Sequence, residues 1–141
     1  MTRPRRITPR SLLLLFACTG ETTGPAQPPP PAVLTLTVAP TGGRASVASG
    51  SLAPVPDSAE VALTGPGSST AAWSVTHSAQ ASWLTLTTAG GAGTGMLRWT
   101  RDPSGLADGS YVDTLVVTAV GAAGSPARVI DTLTISPLPP A

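Results

Sequence analysis

The chain has 141 residues, enough for one ordinary domain, and its 15 Gly, 16 Pro and only 11% charged residues suit short strands joined by tight turns. Its formal net charge is +1, but four of its eight arginines lie in the first ten residues, and residues 18–141 hold four Arg against seven acidic residues. This balance argues against a nucleic-acid partner, because binding to phosphates depends on clustered cations.

Residues 1–17 have the order of a secretory signal peptide. A basic stretch, MTRPRRITPR, is followed by an apolar run at residues 12–17 and then by Cys18. The apolar run is far shorter than the roughly 20 residues that a membrane-spanning helix needs. The twin arginine at residues 5 and 6 precedes Ile-Thr-Pro, a poor twin-arginine export signal, so we expect general secretion.

Leu15-Phe16-Ala17-Cys18 resembles the lipobox of bacterial lipoproteins, with Phe16 as a departure from the usual small residue. The resemblance implies cleavage before Cys18, a diacylglyceryl group on its thiol, and an acylated amino terminus. Two or three acyl chains hold a protein on a membrane, whereas one chain anchors it only marginally. The alternative is plain secretion with an idle Cys18. As the only cysteine, it cannot form an intramolecular disulfide.

Residues 18–32 are predicted to form a linker that is rich in Thr, Pro and Gly. The stretch TGETTGPAQPPPPA, residues 19–32, contains no large apolar side chain that could be buried in a core. Its four consecutive prolines favour an extended polyproline II conformation, which rises about 3.1 Å per residue. The linker would therefore hold a domain tens of ångströms from the lipid, on the outer membrane or the cell surface.

From residue 33 onward, apolar residues alternate with polar ones in short runs, and this period of two predicts strands. About seven strands are expected, near residues 34–38, 61–63, 73–75, 84–86, 97–99, 111–119 and 133–135. The Gly-rich stretch at residues 90–95 is predicted to be a turn, and residues 44–56 fit either a weak edge strand or a loop. Frequent turn residues between the runs indicate an all-β, antiparallel β-sandwich over residues 33–136, followed by a Pro-rich tail at residues 137–141.

Several short motifs resemble the BACON domain, an immunoglobulin-like module of bacterial surface and secreted proteins. They are Trp73-Ser-Val, Ala81-Ser-Trp83-Leu84-Thr-Leu86, a Gly-rich turn, Gly105-Leu106, Gly109-Ser-Tyr111 and Leu115-Val-Val-Thr-Ala119. Tyr111 also has the place of a corner tyrosine, which bonds back to the backbone upstream. The resemblance covers roughly residues 33–136. It implies a non-catalytic module, often found beside polysaccharide-degrading enzymes, that is proposed to bind carbohydrate or mucin or to act as a spacer.

No group of residues points to catalysis, a cofactor or a metal. His77 is the only histidine, and because it lies an even number of residues from Trp73 and Val75, it is predicted to be a partly buried or strand-end residue rather than a zinc ligand, since zinc needs three or four ligands. Asp102, Asp108 and Asp113 lack the spacing of a calcium-binding EF-hand, and Asp102 and Asp108 are assigned to turns. We therefore predict that the protein is not an enzyme.

Trp83 is the candidate carbohydrate-binding residue. The other tryptophans and Tyr111 share parity with aliphatic residues of their strands, which predicts that they lie in the core. Trp83 has the opposite parity to Leu84 and Leu86, so it is predicted to point outward or to lie at the rim, where its ring could stack on a sugar. The alternative is that Trp83 covers one end of the core.

Together these features predict a non-catalytic, lipid-anchored bacterial module outside the cytoplasm. Its expected partners are the membrane, through the lipid on Cys18, and a carbohydrate or a mucin-like glycoprotein. The alternative is a structural spacer or protein-interaction domain of the cell envelope. An adhesion module needs a localised aromatic and polar patch, whereas a spacer needs only stability and reach.

Overall fold

A computed structural model of the chain describes residues 27–140. The chain divides into two units, Met1–Pro30 and Pro31–Ala141, and only residues 27–30 of the first unit are described. The predicted signal peptide and lipid-attachment site therefore lie outside the described residues. Within residues 27–140, no helix is long and apolar enough to span a bilayer.

The domain is an all-β sandwich, as the sequence predicts, and nine strands form in the described part of the chain. Their bounds are β1 Thr35–Ala39, β2 Gly42–Ala48, β3 Val55–Thr64, β4 Ala72–Thr76, β5 Leu84–Thr88, β6 Gly90–Ala92, β7 Gly95–Arg101, β8 Gly109–Thr118 and β9 Ala127–Ser136. A four-stranded sheet has the order β1-β3-β7-β5, and a five-stranded sheet has the order β2-β9-β8-β4-β6. The remaining residues of the described range connect these strands or flank them.

The seven predicted strand regions become nine strands because the chain twice changes sheet without reversing direction. After β1 it continues as β2 at the edge of the other sheet, and after β5 it continues as β6. Since β2 keeps the direction of β1, it pairs with β9 in parallel, which corrects the fully antiparallel prediction. The predicted turn at residues 90–95 likewise begins with strand β6, which pairs with β4.

The core lies between the two sheets and follows the predicted alternation. Inward-facing aliphatic residues of every strand except the short β6 belong to or pack against one core cluster, which includes the buried Trp73 and Trp99. Such burial stabilises the fold by about 1.5–3 kcal/mol for each large apolar side chain. Residues of opposite parity form the two outer faces of the sandwich, and these are the surfaces open to a partner.

The connection between β7 and β8 contains both local features expected from the sequence. The Tyr111 hydroxyl donates to the Ala107 carbonyl oxygen at 2.9 Å, which confirms the corner tyrosine. The Asp102 carboxylate accepts hydrogen bonds from the Ser104 hydroxyl at 2.6 Å and from the Ser104 backbone N–H at 2.9 Å, and these bonds hold the pKa of Asp102 below its ordinary value. These contacts order the two ends of the connection, one just after β7 and one at the start of β8.

Candidate functional site

The predicted exposure of Trp83 is wrong, because its side chain is only 7% exposed. Trp83 lies in the turn before β5, where the Leu84 N–H donates to the Ala81 carbonyl, so strand alternation does not extend to it. Its ring packs against Tyr111, with the centroids 6.3 Å apart and the planes inclined by 58°. Trp83 therefore belongs to the core, in agreement with the alternative prediction for this residue, and offers no open face on which a sugar ring could stack.

A polar layer lies between the sheets at one end of the sandwich. Arg101, at the end of β7, is 1% exposed and donates through Nε to Asp131 Oδ2 of β9 at 2.7 Å. Its Nη2 donates to the other oxygen of Asp131 and, at 2.5 Å, to Asp57 Oδ2 of β3. Burial alone lowers the pKa of Arg101, but the hydrogen bonds and charges of Asp131 and Asp57 outweigh it and raise the pKa overall. The guanidinium therefore stays charged and ties the two sheets together.

Asp113 extends this polar layer along the five-stranded sheet. It lies directly opposite Asp131 in the β8–β9 register, and both side chains are buried. Like charges opposite each other destabilise a sheet unless each is compensated. Arg101 compensates Asp131, and His77 Nδ1 lies 3.0 Å from Asp113 Oδ2. The Thr114 backbone N–H also donates to Asp113 at 2.7 Å.

These charged groups bind one another and hold strands together, which is a structural role. His77 follows β4 directly and its side chain is 22% exposed, which confirms the predicted position at a strand end. Among the residues that the structure describes, no three His, Cys, Asp or Glu side chains come together as a metal site. Asp131 is fully buried with both oxygens bound by Arg101, so it cannot reach a substrate.

The sequence analysis did not predict this layer, although the alternation of inward and outward positions along β7 and β9 indicated it. Arg101 shares parity with Leu97 and Trp99, and Asp131 shares parity with Val129 and Leu133. Charged side chains at core positions are almost always paired. Opposite charges at core parity therefore predict a buried ion pair, but only the register of the sheets identifies the partners.

The outer face of the five-stranded sheet carries the first candidate binding surface, which we call the β8–β9 patch. It consists of Val112, Thr114, Val116, Ile130 and Thr132. Val112 and Ile130 are 60% and 54% exposed, and the register places them diagonally across β8 and β9. Three of the five side chains are aliphatic, and all five are β-branched, so their rotamers are few and the patch is preorganised.

Two arginines flank this patch. Arg44 lies opposite Thr132 in the β2–β9 register, and Arg128 lies opposite Val116 in the β8–β9 register. Both are exposed, and neither forms an ion pair with a carboxylate of residues 27–140. No Asp or Glu occupies an outward position on the strands of this sheet, so the face is positively charged as well as apolar.

The second candidate surface is a hollow on the outer face of the four-stranded sheet, which we call the Arg98 hollow. Its volume is about 450 Å³, within the range of roughly 300–1,000 Å³ that is typical of small-molecule sites. It is lined by Pro56, Asp57, Ser58, Thr87, Arg98, Trp99 and Thr100. Trp99 is buried, and the Asp57 side chain, which is 30% exposed, has inward parity and is bound by Arg101, so the outward-facing side chains of the lining are those of the other five residues.

Comparison with known proteins supports the fold. No family model matches the sequence, and no curated protein matches it. A Bacteroides ovatus GH5 xyloglucanase, solved in complex with a XXXG heptasaccharide, matches over 76% of this chain with 16% identity and a TM-score of 0.55. This chain covers only 20% of that enzyme, about a fifth of its length.

Smaller proteins also match. The PapD-like domain 7 of human CEP192 is 13% identical over 85% of this chain and 97% of its own, with a TM-score of 0.50. The periplasmic chaperone SfaE is 13% identical over 74% of this chain and 60% of its own, with a TM-score of 0.45. At these identities the likeness concerns the fold alone. The domain is an immunoglobulin-like β-sandwich, and the resemblance to BACON domains in particular stays a prediction.

Proposed function

We propose that the protein is a non-catalytic interaction module, held outside the cytoplasm by a lipid on Cys18, which binds a protein partner through the β8–β9 patch. The observation that carries this proposal is the exposure of Val112 and Ile130 as diagonal neighbours on the outer face of the five-stranded sheet. Immunoglobulin-like sandwiches are suited to structural or interaction roles, and the burial of Trp83 favours this alternative over sugar stacking.

The patch has the composition expected for a protein interface. An apolar centre supplies the driving force for association, since removing apolar surface from water contributes about 25 cal/mol per Å² before the costs of association are subtracted. Arg44 and Arg128 add charge at its margin, which steers encounter and selects partners that carry carboxylates. Two copies of this face would repel each other, so the proposed partner is a different, acidic protein surface.

The location rests on the sequence. The lipobox-like stretch ending at Cys18 predicts an anchor, and the Pro-rich linker predicts a spacer that lifts the domain away from the lipid. Replacing Cys18 with Ser is expected to move the protein from the detergent phase to the aqueous phase after Triton X-114 partitioning. Persistence of the Cys18→Ser protein in the detergent phase would refute the lipid anchor.

Photo-crosslinking in cells tests the proposed interface. With a benzoylphenylalanine in place of Val112, we expect a crosslinked product whose partner peptide, identified by mass spectrometry, is rich in Asp or Glu. The product should disappear when Ile130→Asp is added, because a charge would then have to be buried in the contact. The matched control carries the same probe in place of Glu60, which is exposed on the other sheet.

The controls separate the possible outcomes. A product that forms equally from the Glu60 position, or that consists of two copies of this chain, would contradict the proposal. Absence of any product from cells in which the protein is folded would leave a structural spacer as the better assignment. Folding of each variant is verified by its urea-unfolding transition.

Carbohydrate or mucin binding is the second candidate function. The Arg98 hollow favours it, because it is concave and presents hydroxyl groups beside a cation. The likeness to part of a xyloglucanase that binds a heptasaccharide makes carbohydrate a reasonable class to test.

A further inference from the structure

The side chains of the Arg98 hollow form two cross-strand rows. Ser58 lies directly opposite Arg98 in the β3–β7 register, and Pro56 lies directly opposite Thr100. Opposite side chains in an antiparallel pair have Cβ atoms about 4.5–5.5 Å apart, and successive outward residues of one strand are about 7 Å apart. The four side chains therefore mark the corners of a site with the width of a single small ring.

A β-bulge in the edge strand closes one side of this hollow. The β5–β7 register shifts between Leu86, which pairs with Trp99, and Thr88, which pairs with Arg98. Thr87 is the extra residue, and it lines the hollow. Bulges bend a strand and re-aim side chains, and they are common beside binding sites.

The hydrogen-bonding groups of the hollow are free to bind a ligand. Arg98 forms no ion pair with any carboxylate of residues 27–140, and the adjacent Asp57 is already bound by Arg101. In the same part of the chain, the hydroxyls of Ser58, Thr87 and Thr100 have no hydrogen-bond partner, and the only side chain bonded at Ser58 is that of Asp57, whose Oδ1 accepts from the Ser58 backbone N–H. The hollow thus offers one planar guanidinium and three hydroxyl groups, each of which can both donate and accept hydrogen bonds.

We infer that the Arg98 hollow binds an anionic sugar, with the guanidinium of Arg98 on its carboxylate or sulfate group and the three hydroxyls on its ring hydroxyls. A guanidinium binds such an anion through two parallel N–H···O bonds, which fix both its position and its orientation. The pyrrolidine ring of Pro56 supplies an apolar surface for the C–H side of a sugar ring. This site is on the opposite sheet from the proposed protein interface and does not depend on it.

Calorimetric titration of the full chain in detergent tests this inference with four probes. They are an oligogalacturonate, its neutral methyl ester, a sulfated galactan oligosaccharide and triglutamate. We expect saturable binding of the oligogalacturonate, the sulfated oligosaccharide or both, and the comparison of these two identifies the anion. The ester lacks the charge and triglutamate lacks the ring hydroxyls, so neither should bind comparably.

Variants localise the binding. Arg98→Gln should weaken the binding of the anionic sugar by at least about tenfold, the size expected for loss of a charge-assisted hydrogen bond. Met96→Gln is the matched control, because Met96 is also exposed on the outer face of β7 but does not line the hollow, and it should leave the affinity unchanged. Thr87→Val keeps the shape of the bulge residue and should weaken binding by removing one hydroxyl.

Four results would overturn the inference. These are no saturable binding of either anionic sugar, equal binding of the methyl ester, equal binding of triglutamate, or an affinity that Arg98→Gln does not change. None of them bears on crosslinking at Val112, so failure of this site and failure of the proposed interface are distinguishable.

Discussion

Replacing Arg101 with alanine is expected to lower the free energy of unfolding by about 3–5 kcal/mol, the range for removing one partner of a buried ion pair. The variant leaves the Asp131 carboxylate fully buried without its counter-ion and directly opposite the buried Asp113. It also removes the hydrogen bonds that join β7 to β9 across the sandwich and to β3 within the four-stranded sheet. Urea unfolding followed by tryptophan fluorescence measures the change.

Arg98→Ala is the matched control for this prediction. Arg98 is on the same strand but faces solvent, so its replacement should change the free energy of unfolding by no more than about 0.5 kcal/mol. Because the folded-state pKa of Arg101 is raised, its charge contributes fully to stability below its unfolded pKa, and the contribution is lost only at very alkaline pH. A loss below 1 kcal/mol for Arg101→Ala at neutral pH would show that Asp131 is compensated in another way.

The alternation of apolar residues was sufficient to predict the sandwich, because each strand buries one face and local parity selects that face. It could not predict the two changes of sheet. Pro40 and Thr41 between β1 and β2 resemble an ordinary turn, and only the pairing of Gly42–Ala48 with β9 shows that the chain keeps its direction. A local pattern of residues does not determine which distant strand a segment pairs with, or in which direction.

Trp83 shows where parity fails. Because Trp83 directly precedes Leu84, the strand alternation was extended to it. The chain is still in a turn at Trp83, however, and the Trp83 side chain points to the core. The two candidate surfaces also differ in whether local alternation could have predicted them. The aliphatic residues of the β8–β9 patch could be found as apolar residues at outward parity on β8 and β9. The Arg98 hollow could not, because it depends on a bulge that brings Thr87 beside Arg98.

The absence of a side chain at Gly43 makes room for the polar layer, so a substitution at this position is expected to destabilise the fold. A Cβ atom at this position would lie 2.6 Å from Arg101 Nη2 and 2.7 Å from Asp57 Oδ2, and it would also overlap Asp131 Oδ1. All three are atoms of the hydrogen-bonded ion cluster, so none can move without weakening a bond of that cluster. A single methyl group therefore acts on both β2 packing and the cross-sheet ion pairs.

Gly43→Ala is accordingly expected to lower the free energy of unfolding by about 2–4 kcal/mol, which combines the cost of overpacking with partial loss of the ion cluster. The control is Gly42→Ala on the same strand, whose Cβ would meet only the Ile130 carbonyl oxygen at 3.2 Å, and it should cost less than about 1 kcal/mol. Equal losses for the two variants would mean that β2 is sensitive to any side chain at its start.

A double variant separates the two contributions to the Gly43 effect. Arg101→Ala removes the guanidinium that the new methyl group would strike, so Gly43→Ala should cost less in that background than in the native chain. The expected coupling is about 1–2 kcal/mol, in the range measured for residues in one network. Strict additivity would instead mean that the methyl group displaces β2 from β9 without disturbing the ion cluster, and the close approach at Gly43 would then matter for strand pairing alone.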